Sequence, residues 1–573
     1  MPKIFKKNKM SMKHFLLFCL FFCSLYAGAE NYFIAPAGND ENDGSIESPF
    51  ASLRKAQSLV VPGDTVFIRG GRYLVPQDQV MTYYDIWGYV FDMQKSGTSS
   101  KRICYHGYKD ERPVFDLSQV KPANKRVIVF YVKGSNLHFK NFEVVGTQVT
   151  IVGHTQSEAF RLDGGNANIF ENIAVHDGMA IGFYLVRGVN NLVLNCDAYN
   201  NYDTVSDGGK GGNVDGFGGH TKANSYGNVF RACRAWYNSD DGFDLINSSE
   251  AVTIEHCWSF YNGYRPGTFT AAGDGSGFKS GGYGMSENPS VPAIVPRHVV
   301  RFCLAYYNRS QGFYANHHLG GINWHNNTAY QNPSNYNMLN RKSAAEVVDV
   351  PGYGHNLCNN ISYLPRTAAN HIINVNTTSS SLITNSFYPA GMDVSAGDFI
   401  SLDAKQLTLP RKADGSLPEI TFLKPKPDSK LIDKGTKLGY AYSGNAPDLG
   451  CFEHEITTGT ASPVAGEFRY RVRNNTLFVD ALYPQNQGPE ELEIFTMKGE
   501  RKLFRFNGLT LEIPLPEGIY IIRQQGISKK IMIFGEVFGI KKKERHAKSS
   551  LRNYRNQFYY RLGHQGRIAG SAV

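Results

Sequence analysis

A four-residue motif recurs eight times between residues 136 and 362 and restricts the chain to a repetitive architecture. Each copy begins with Asn or Cys, and all but the first have Ala or Ser two places later. The copies are NFEV, NIAV, CDAY, CRAW, CWSF, CLAY, NTAY and NISY, which start at Asn141, Asn172, Cys196, Cys233, Cys257, Cys303, Asn327 and Asn360. Three of the seven spacings are 24 residues. Periods of about 20 to 50 residues are typical of stacked folds whose insertions loop out on one face.

Strand-like alternation around the small residue predicts a parallel β-helix. Asn side chains at one position can bond from coil to coil, and Cys fills the same narrow slot as a small buried hydrophobe. Four of the seven cysteines that follow residue 29 occupy this column, which favours packed thiols over disulfides. No Cys-x-x-Cys pair and no Cys/His cluster has the sequence spacing of a zinc site.

Near the start, PFASLRKAQSLV has apolar residues at helical spacing. A short amphipathic helix here would cover the exposed strand edges of the first coil. The segment resembles the opening of many right-handed β-helix carbohydrate enzymes. We therefore predict an all-β fold: a right-handed parallel β-helix over residues 30–455 with an N-terminal capping helix, followed by a small C-terminal β-sandwich.

Residues 1–29 are predicted to be a signal peptide, because a basic region precedes an apolar run and then small residues that end at Ala29. No later stretch of about 18 apolar residues predicts a membrane span. Of the net charge of +10, the signal carries +5 and residues 536–573 carry +7, which leaves −2 for residues 30–535. This near-neutral body argues against a nucleic-acid partner.

Beyond the repeat, residues 456–465 are predicted to be a linker, residues 466–535 a small β-sandwich and residues 536–573 a disordered basic tail. The stretches LEIFTMKGERK, LPEGIYIIR and KKIMI resemble C-terminal sorting domains of the type nine secretion system. A carbohydrate-binding module is the competing interpretation. We expect a monomer that the signal peptide exports. The sorting interpretation places it on the outer surface of a Gram-negative cell or secreted from it, with the secretion machinery as a partner.

A second repeated mark, Gly-Phe, aligns an unusually acidic turn with its neighbours. The marks are Gly182-Phe183, Gly216-Phe217, Gly242-Phe243, Gly277-Phe278 and Gly312-Phe313. In this register Asp215 and Asp241 share the column before the Gly, and Asp240 lies beside Asp241. Asp244 and Lys279 both lie one place after the Phe. Because adjacent coils stack about 4.7 to 4.9 Å apart, these five side chains are expected to converge.

Carboxylates this close repel one another unless a cation lies among them. Hard oxygen ligands suit Ca²⁺, which takes about 6 to 8 oxygens. A lysine one coil from a divalent cation is expected to lose affinity for its proton and to serve as a base. Two alternatives remain open at this point: acidic turns that only stiffen the helix, and an ordinary surface lysine.

The stretches GGNVDGFGGH, GNVFRACRAWYNSDDGFDLI, IEHCWSFYNGY and GDGSGFKSGG resemble the family 9 polysaccharide lyases, which are pectate lyase-like enzymes of right-handed β-helix fold. The resemblance covers about residues 30–455. It implies that Lys279 is the Brønsted base, with Ca²⁺ as the cofactor. The four aspartates it assigns to Ca²⁺ are Asp215, Asp240, Asp241 and Asp244. Gly218-Gly219-His220 departs from the side chains expected after Asp215-Gly-Phe.

These observations predict an extracellular Ca²⁺-dependent lyase that cleaves pectic galacturonan by β-elimination. Homogalacturonan is the default substrate, and the backbone of rhamnogalacturonan is the alternative. Candidate substrate contacts are His220, Lys222, Arg265 and His317. A polygalacturonase-type hydrolase also uses paired aspartates, but its Gly-His-Gly and Arg-x-Lys motifs do not follow Lys279. A non-catalytic β-helix adhesin is the third possibility, and it gives Lys279 no role.

Overall fold

The computed structural model of the protein divides into two compact units. The first unit contains residues 1–437 and 442–461, and the second contains residues 438–441 and 462–573. The structure describes residues 29–283, 291–389, 391–454, 469–473, 476–480, 490–496, 500–506, 510–516, 518–524 and 527–533.

Three segments predicted from the sequence lie outside the described residues. They are the signal peptide apart from Ala29, the linker 456–465 and the basic tail 536–573. No helix in the described ranges is long and apolar enough to cross a membrane.

The first unit is a parallel β-helix whose larger sheet has twenty strands. Within this sheet, strands of successive coils pair in parallel and form two rows of strands. The two rows are joined by two long strands, each of which belongs to both rows. The joining strands are Leu137–Val145 and Ile169–His176. The other strands of the first row are Asn31–Ile34, Thr65–Ile68, Ile103–Gly107, Leu192–Leu194, Asn228–Arg231, Val252–Glu255, His298–Arg301, Ile322–His325, Asn356–Cys358 and Ser381–Ile383. Those of the second row are Arg72–Leu74, Val114–Asp116, Asp197–Tyr199, Arg234–Trp236, Trp258–Phe260, Leu304–Tyr306, Thr328–Tyr330 and Ile361–Tyr363.

The remaining face of the β-helix is an eleven-stranded sheet, parallel throughout except for its first pair. Its strands are Thr82–Tyr84, Trp87–Met93, Arg126–Val132, Ser157–Asp163, Ala180–Arg187, Phe217–Gly219, Phe243–Asp244, Phe278–Lys279, Gln311–Tyr314, Ser334–Asn337 and Ile372–Ile373. A separate antiparallel pair is formed by Asn340–Arg341 and Asp349–Val350. The eleven-stranded sheet contains the Gly-Phe marks.

The inward residues form columns that run through the coils, because parallel strands in register place equivalent side chains one above another. The phenylalanines of the Gly-Phe marks stack with ring centroids 4.8 to 5.3 Å apart. Cys196, Cys233, Cys257 and Cys303 are buried free thiols, as the repeat predicts. The Asn column is also confirmed, since the Asn327 amide donates to Asn360 Oδ1 at 3.0 Å.

A second asparagine ladder lies in the turns that follow the strands of the second row. The amides of Asn201, Asn238, Asn262, Asn308 and Asn332 bond in series at 3.0 to 3.1 Å. Each side chain satisfies backbone groups that the turn leaves unpaired, so a buried corner needs no water. Asn238 leads directly into the acidic turn, because only Ser239 separates it from Asp240.

The predicted capping helix is present as Leu53–Leu59, with the Ser52 hydroxyl accepting from Lys55 N at 3.1 Å. It buries Leu53 and Ala56 against the first coil. Short 3₁₀ turns occupy Gln77–Gln79, Ser206–Gly208, Ala396–Asp398 and Ala404–Thr408. Phe399, Leu407 and Phe422 pack on the second strand row and form an outer cluster with Phe260 and Tyr330.

The second unit contains two small antiparallel sheets, which agrees with the predicted sandwich. The three-stranded sheet is formed by Arg469–Arg473, Thr476–Asp480 and Thr510–Pro514. The four-stranded sheet is formed by Glu490–Thr496, Arg501–Phe506, Gly518–Gln524 and Ile527–Ile533. Leu477 and Ile513 of the first sheet share a core with Ile494 and Ile522 of the second.

Candidate active site

The acidic turn and Lys279 meet on the eleven-stranded sheet, in the register that the Gly-Phe marks predict. Gly218, Asp244 and Lys279 are directly paired on three successive strands. Gly216 N donates to Asp241 O, so the residues before each Gly are also aligned. The inward Phe alternates with these outward residues because successive side chains on a strand point to opposite faces.

The four aspartates are buried and oriented by backbone N–H groups. Asp240 accepts from Asn213 N at 2.8 Å and from Asp274 N at 2.9 Å. Asp241 Oδ1 accepts from Ser276 N at 2.5 Å, while Asp241 N donates to Asp215 Oδ1 at 3.1 Å. The glycine-rich turns supply these donors, so the loops fix the carboxylates without neutralising them.

Lys279 is the cation that the structure brings into this cluster. Its Nζ lies 3.0 Å from Asp241 Oδ2 and 3.0 Å from Asp244 Oδ2, and 15% of its side chain is exposed. Asp244 Oδ1 also accepts from Ile246 N at 2.7 Å. The amino group is therefore held at the surface of the sheet between two carboxylates, with limited access to water.

The charges of the cluster do not balance, since four carboxylates surround one ammonium group. Burial, reinforced by Asp240 and Asp244, raises the pKa of Asp215 well above its usual value. Burial likewise raises the pKa values of Asp240 and Asp241 in spite of the opposing effect of Lys279. Burial alone lowers the pKa of Lys279, but Asp241 and Asp244 outweigh it and hold that pKa well above the usual value.

This result qualifies the expectation that Lys279 loses affinity for its proton. The neighbouring carboxylates hold that proton tightly, because their negative charges favour the protonated ammonium group. The expected loss of affinity requires a positive charge to neutralise the aspartates first.

The donor set fits a hard divalent cation. One oxygen each of Asp215, Asp240 and Asp241 can be chosen so that all lie within 4.8 Å of one another. Asp241 Oδ2 is buried and lacks a well-aligned hydrogen bond, although Lys279 lies beside it as an ion pair. Clustered carboxylate oxygens of this kind are the ligands that Ca²⁺ prefers.

His220 completes the pocket from the strand that precedes the acidic turn. Its Nδ1 lies 2.8 Å from Ile246 O, its ring stacks on Tyr184 at 4.4 Å, and its Nε2 is buried without a partner. One of its ring nitrogens lies within 4.8 Å of oxygens of Asp215 and Asp244. A Cβ at Gly218 would approach His220 Nε2 to 2.8 Å, so the unexpected Gly218 makes room for the imidazole.

The other three predicted substrate contacts lie in different places. Lys222 is exposed, and its positive charge contributes to lowering the pKa of His220, for which burial is the main cause. Arg265 is exposed and its guanidinium lies 5.5 Å from the Tyr202 ring. His317 is buried, with Nε2 3.1 Å from Asp349 Oδ1. Among the four candidates, His220 has a ring nitrogen close to Asp215 and Asp244, whereas the His317 ring lies 6.3 Å from that of Tyr314, the residue paired with Lys279.

The outward column contains further residues that sequence reasoning missed. Tyr314 pairs with Lys279, and Tyr184 pairs with Gly218 on the opposite side. Arg161 pairs with Tyr184, and its guanidinium lies between the rings of Tyr184 at 5.3 Å and Trp87 at 4.9 Å. Tyr184 and Tyr314 each follow a Gly-Phe mark directly, as Asp244 and Lys279 do, so both could have been found by aligning the marks in the sequence.

Comparison with known proteins places this geometry in a family. The family described as "Pel9A-like, right handed beta helix region" matches residues 32–356. Pectate lyase L of Dickeya dadantii is 36% identical over 428 residues, which cover 74% of this chain and 90% of that protein.

Two solved structures are also similar over most of the β-helix. A rhamnogalacturonan lyase is 54% identical with a TM-score of 0.68, covering 70% of this chain and 97% of its own. The pectate lyase Pel9A is 33% identical with a TM-score of 0.60, covering 76% of this chain and 98% of its own. These matches cover the coils that contain the aspartates and Lys279, and the chain therefore belongs to the Pel9A-like right-handed β-helix family of polysaccharide lyases.

Proposed function

We propose that the chain cleaves an acidic pectic polysaccharide by β-elimination, with Lys279 as the base. The observation that carries this proposal is the position of Lys279 Nζ, 3.0 Å from carboxylates of both Asp241 and Asp244 on an outward strand face. A polymer lying along that face would present its sugar ring to the amino group. Lys279 would remove the proton at C5 of a uronate, and the C4 substituent would leave.

The chain's own residues bind and position the reacting groups. Asp215, Asp240, Asp241 and Asp244 are the proposed ligands of Ca²⁺. Calcium held by these four aspartates would supply positive charge that stabilises the developing uronate anion and weakens the hold of the aspartates on the Lys279 proton. His220 lines the same pocket as a neutral side chain, because burial lowers its pKa.

We propose the backbone of rhamnogalacturonan, in which rhamnose and galacturonate alternate, as the substrate. Support comes from the 54% identity to a rhamnogalacturonan lyase, compared with 36% to pectate lyase L. The outward column agrees with a polymer that has a carboxylate on every second sugar. From Tyr131 to Tyr314 the column reads Tyr131, Arg161, Tyr184, Gly218, Asp244, Lys279 and Tyr314, so it contains two cations, Arg161 and Lys279, in seven positions.

Homogalacturonan is the second candidate, because pectate lyases cover the chain over similar lengths. A polymer with a carboxylate on every sugar would need more cations along the groove than the outward column offers. The two substrates therefore differ in how many carboxylates they would place along the sheet face beside Lys279.

The test is ultraviolet absorbance of unsaturated products, measured for the full chain on rhamnogalacturonan and on polygalacturonate. The proposal expects absorbance to rise on rhamnogalacturonan with Ca²⁺ and to stop with a chelator. A rise only on polygalacturonate would select the second candidate. New reducing ends without absorbance would indicate hydrolysis and overturn the elimination mechanism.

We also propose that the C-terminal sandwich directs export through the type nine system, which would place the enzyme outside the cell. The support is the two-sheet sandwich together with the three sorting-like sequence stretches. Deleting residues 466–573 in a host that has this system should keep the enzyme inside the cell envelope. Unchanged release of the shortened chain would contradict this role.

A further inference from the structure

A second cluster of metal-binding side chains lies on the larger sheet, on a different face from the lyase site. Cys104 and His106 are two places apart on Ile103–Gly107, so both point outward while Tyr105 between them is buried. His138 on the next coil pairs directly with Cys104. The three side chains can offer Cys104 Sγ and one ring nitrogen from each of His106 and His138, and these three atoms lie within 4.8 Å of one another.

The side chains within this cluster leave donor atoms unused. His106 Nε2 is buried and has no hydrogen-bond partner. Burial, helped by the neighbouring His138 and Lys140, lowers the pKa of His106 to about 3, so its imidazole is neutral at ordinary pH. Cys104 is a free thiol, and the rings of His106 and His138 stand edge to face at 4.5 Å. A buried, unpaired ring nitrogen is unfavourable unless something else binds it.

His138 has the environment of a metal ligand. Its Nε2 lies 2.8 Å from Glu171 Oε2, and the other carboxylate oxygen of Glu171 pairs with Lys140 Nζ at 2.9 Å. Histidines that bind metals usually donate their other ring N–H to a carboxylate in this way, which orients the ring and frees the remaining nitrogen. Glu171 would thus be a positioning residue for His138.

We propose that Cys104, His106 and His138 bind one borderline transition-metal ion of the zinc class, with water in the fourth position. A thiolate and two imidazoles match the preference of Zn²⁺ for sulfur and nitrogen ligands in tetrahedral geometry. The Cys104 thiol loses its proton to solvent as the sulfur–metal bond forms, so binding strengthens as pH rises. The site would tie two neighbouring coils together near the capped end of the β-helix.

This site is distinct in chemistry from the proposed calcium site. Hard oxygen donors select Ca²⁺, whereas a thiolate with imidazoles selects softer ions. The ligands come from coils 34 residues apart, since Cys104 and His138 are separated by that distance along the chain. A short-range spacing pattern does not register such a set of ligands, because it forms only when two coils stack.

The experiment is titration of the full, chelator-treated chain with Co²⁺ and with Zn²⁺. The proposal expects one equivalent of Co²⁺ to give thiolate-to-cobalt charge-transfer absorption, and Zn²⁺ to displace it and to raise the thermal midpoint. Cys104→Ser should abolish the absorption, whereas Cys358→Ser, at another free thiol, should retain it. Glu171→Gln should weaken binding about 10- to 100-fold while keeping the absorption band.

The proposal is overturned if the unmodified chain shows no charge-transfer band, or if Cys104→Ser binds Co²⁺ with the same band and affinity. Far-ultraviolet circular dichroism and Ca²⁺-dependent lyase activity show whether the Cys104→Ser chain is folded. If that variant fails to fold, His106→Gln gives the same test, because it removes a nitrogen ligand and leaves the thiol in place. Retention of tight one-to-one binding in His106→Gln would equally overturn the site.

Discussion

Two kinds of buried charge cluster lie in the β-helix, and they differ in how their charges balance. Asp197 is held between Arg234 and Arg411, at 2.8 and 2.6 Å, and the two arginines keep its pKa well below the usual range in spite of burial. In the proposed lyase site, by contrast, four aspartates share Lys279, and burial, reinforced by neighbouring carboxylates, raises the pKa values of three of them.

The difference suits the two clusters to different roles, a structural one for Asp197 and the proposed catalytic one for the aspartates around Lys279. Arg411 reaches Asp197 across 214 residues of sequence, so that ion pair attaches the segment after the last coil to the strands. The aspartate cluster instead has four carboxyl groups and a single cation, Lys279, paired with two of them. Strongly perturbed carboxylates without compensating partners are typical of functional sites.

The largest expected effect is on turnover, in Lys279→Ala. Removing a general base lowers kcat about 10²- to 10⁴-fold, and Ca²⁺ binding should persist because the four aspartates remain. Initial rates from product absorbance and calorimetric Ca²⁺ titration measure the two quantities. Lys342→Ala is the matched control, since this exposed lysine pairs only with exposed Glu346 among the described contacts. A rate within tenfold of the unmodified enzyme would remove Lys279 as the base.

The cluster of Asp197 with its two arginines predicts the reverse pattern in Asp197→Asn. Two buried guanidinium groups would lose their ionic partner, which costs about 3 to 5 kcal/mol of the free energy of unfolding. Activity per folded molecule should be unchanged. Urea unfolding measures the loss, with Glu346→Gln as an exposed ion-pair control that should change stability by about 1 kcal/mol or less. A similarly small loss in Asp197→Asn would contradict the structural role.

Glu255 extends the comparison to pH. Burial raises its pKa, but Arg231 and Arg301 outweigh burial and lower that pKa to about 2. A depressed pKa stabilises the fold above the unfolded-state pKa, and this contribution disappears as pH falls from about 4.5 towards 2. The contribution is about 3 kcal/mol. Glu255→Gln should flatten the acid limb of stability against pH, and an unchanged limb would contradict this account.

The smallest effect concerns calcium and Asp241. At a concentration about 100 times Kd, Ca²⁺ should stabilise the unmodified chain by about 2.7 kcal/mol. Asp241→Asn should reduce that gain and raise the Ca²⁺ concentration needed for activity. Without Ca²⁺ the variant should be no less stable than the unmodified chain, because one repelling carboxylate is gone. Thermal unfolding with Ca²⁺ and with chelator measures both, and an unchanged Ca²⁺ response would exclude Asp241 as a ligand.

Much of the site could be predicted because the coils of a parallel β-helix stack in register. Aligning the Gly-Phe marks placed Asp241 and Lys279 correctly, and the strand pairing of Asp244 with Lys279 confirms that register. The short motifs gave the inward Cys and Asn columns for the same reason. Arg161 was missed because Gly-Phe does not mark its strand, where Ala159-Phe160 stands instead.

Contacts made by side chains on insertions or across coils of unequal length could not be predicted in this way. Lys222 and Arg265 are near the acidic turn in sequence, yet both are exposed, and Arg265 lies against Tyr202. His220 enters the pocket only because Gly218 leaves space beneath Tyr184. Sequence distance does not encode such packing.

The sequence by itself determined the repeating coil, the capped end and the column that brings the aspartates and Lys279 together. These follow from side-chain period and strand register, which are local properties that a stack repeats. Only the tertiary structure decided which charged and polar groups meet. It gives Asp197 two arginines and gives the four aspartates one lysine, and it leaves a ring nitrogen of His106 without a partner near Cys104. Charge balance depends on which side chains approach within a few ångströms, and that is fixed only when the coils and their insertions pack.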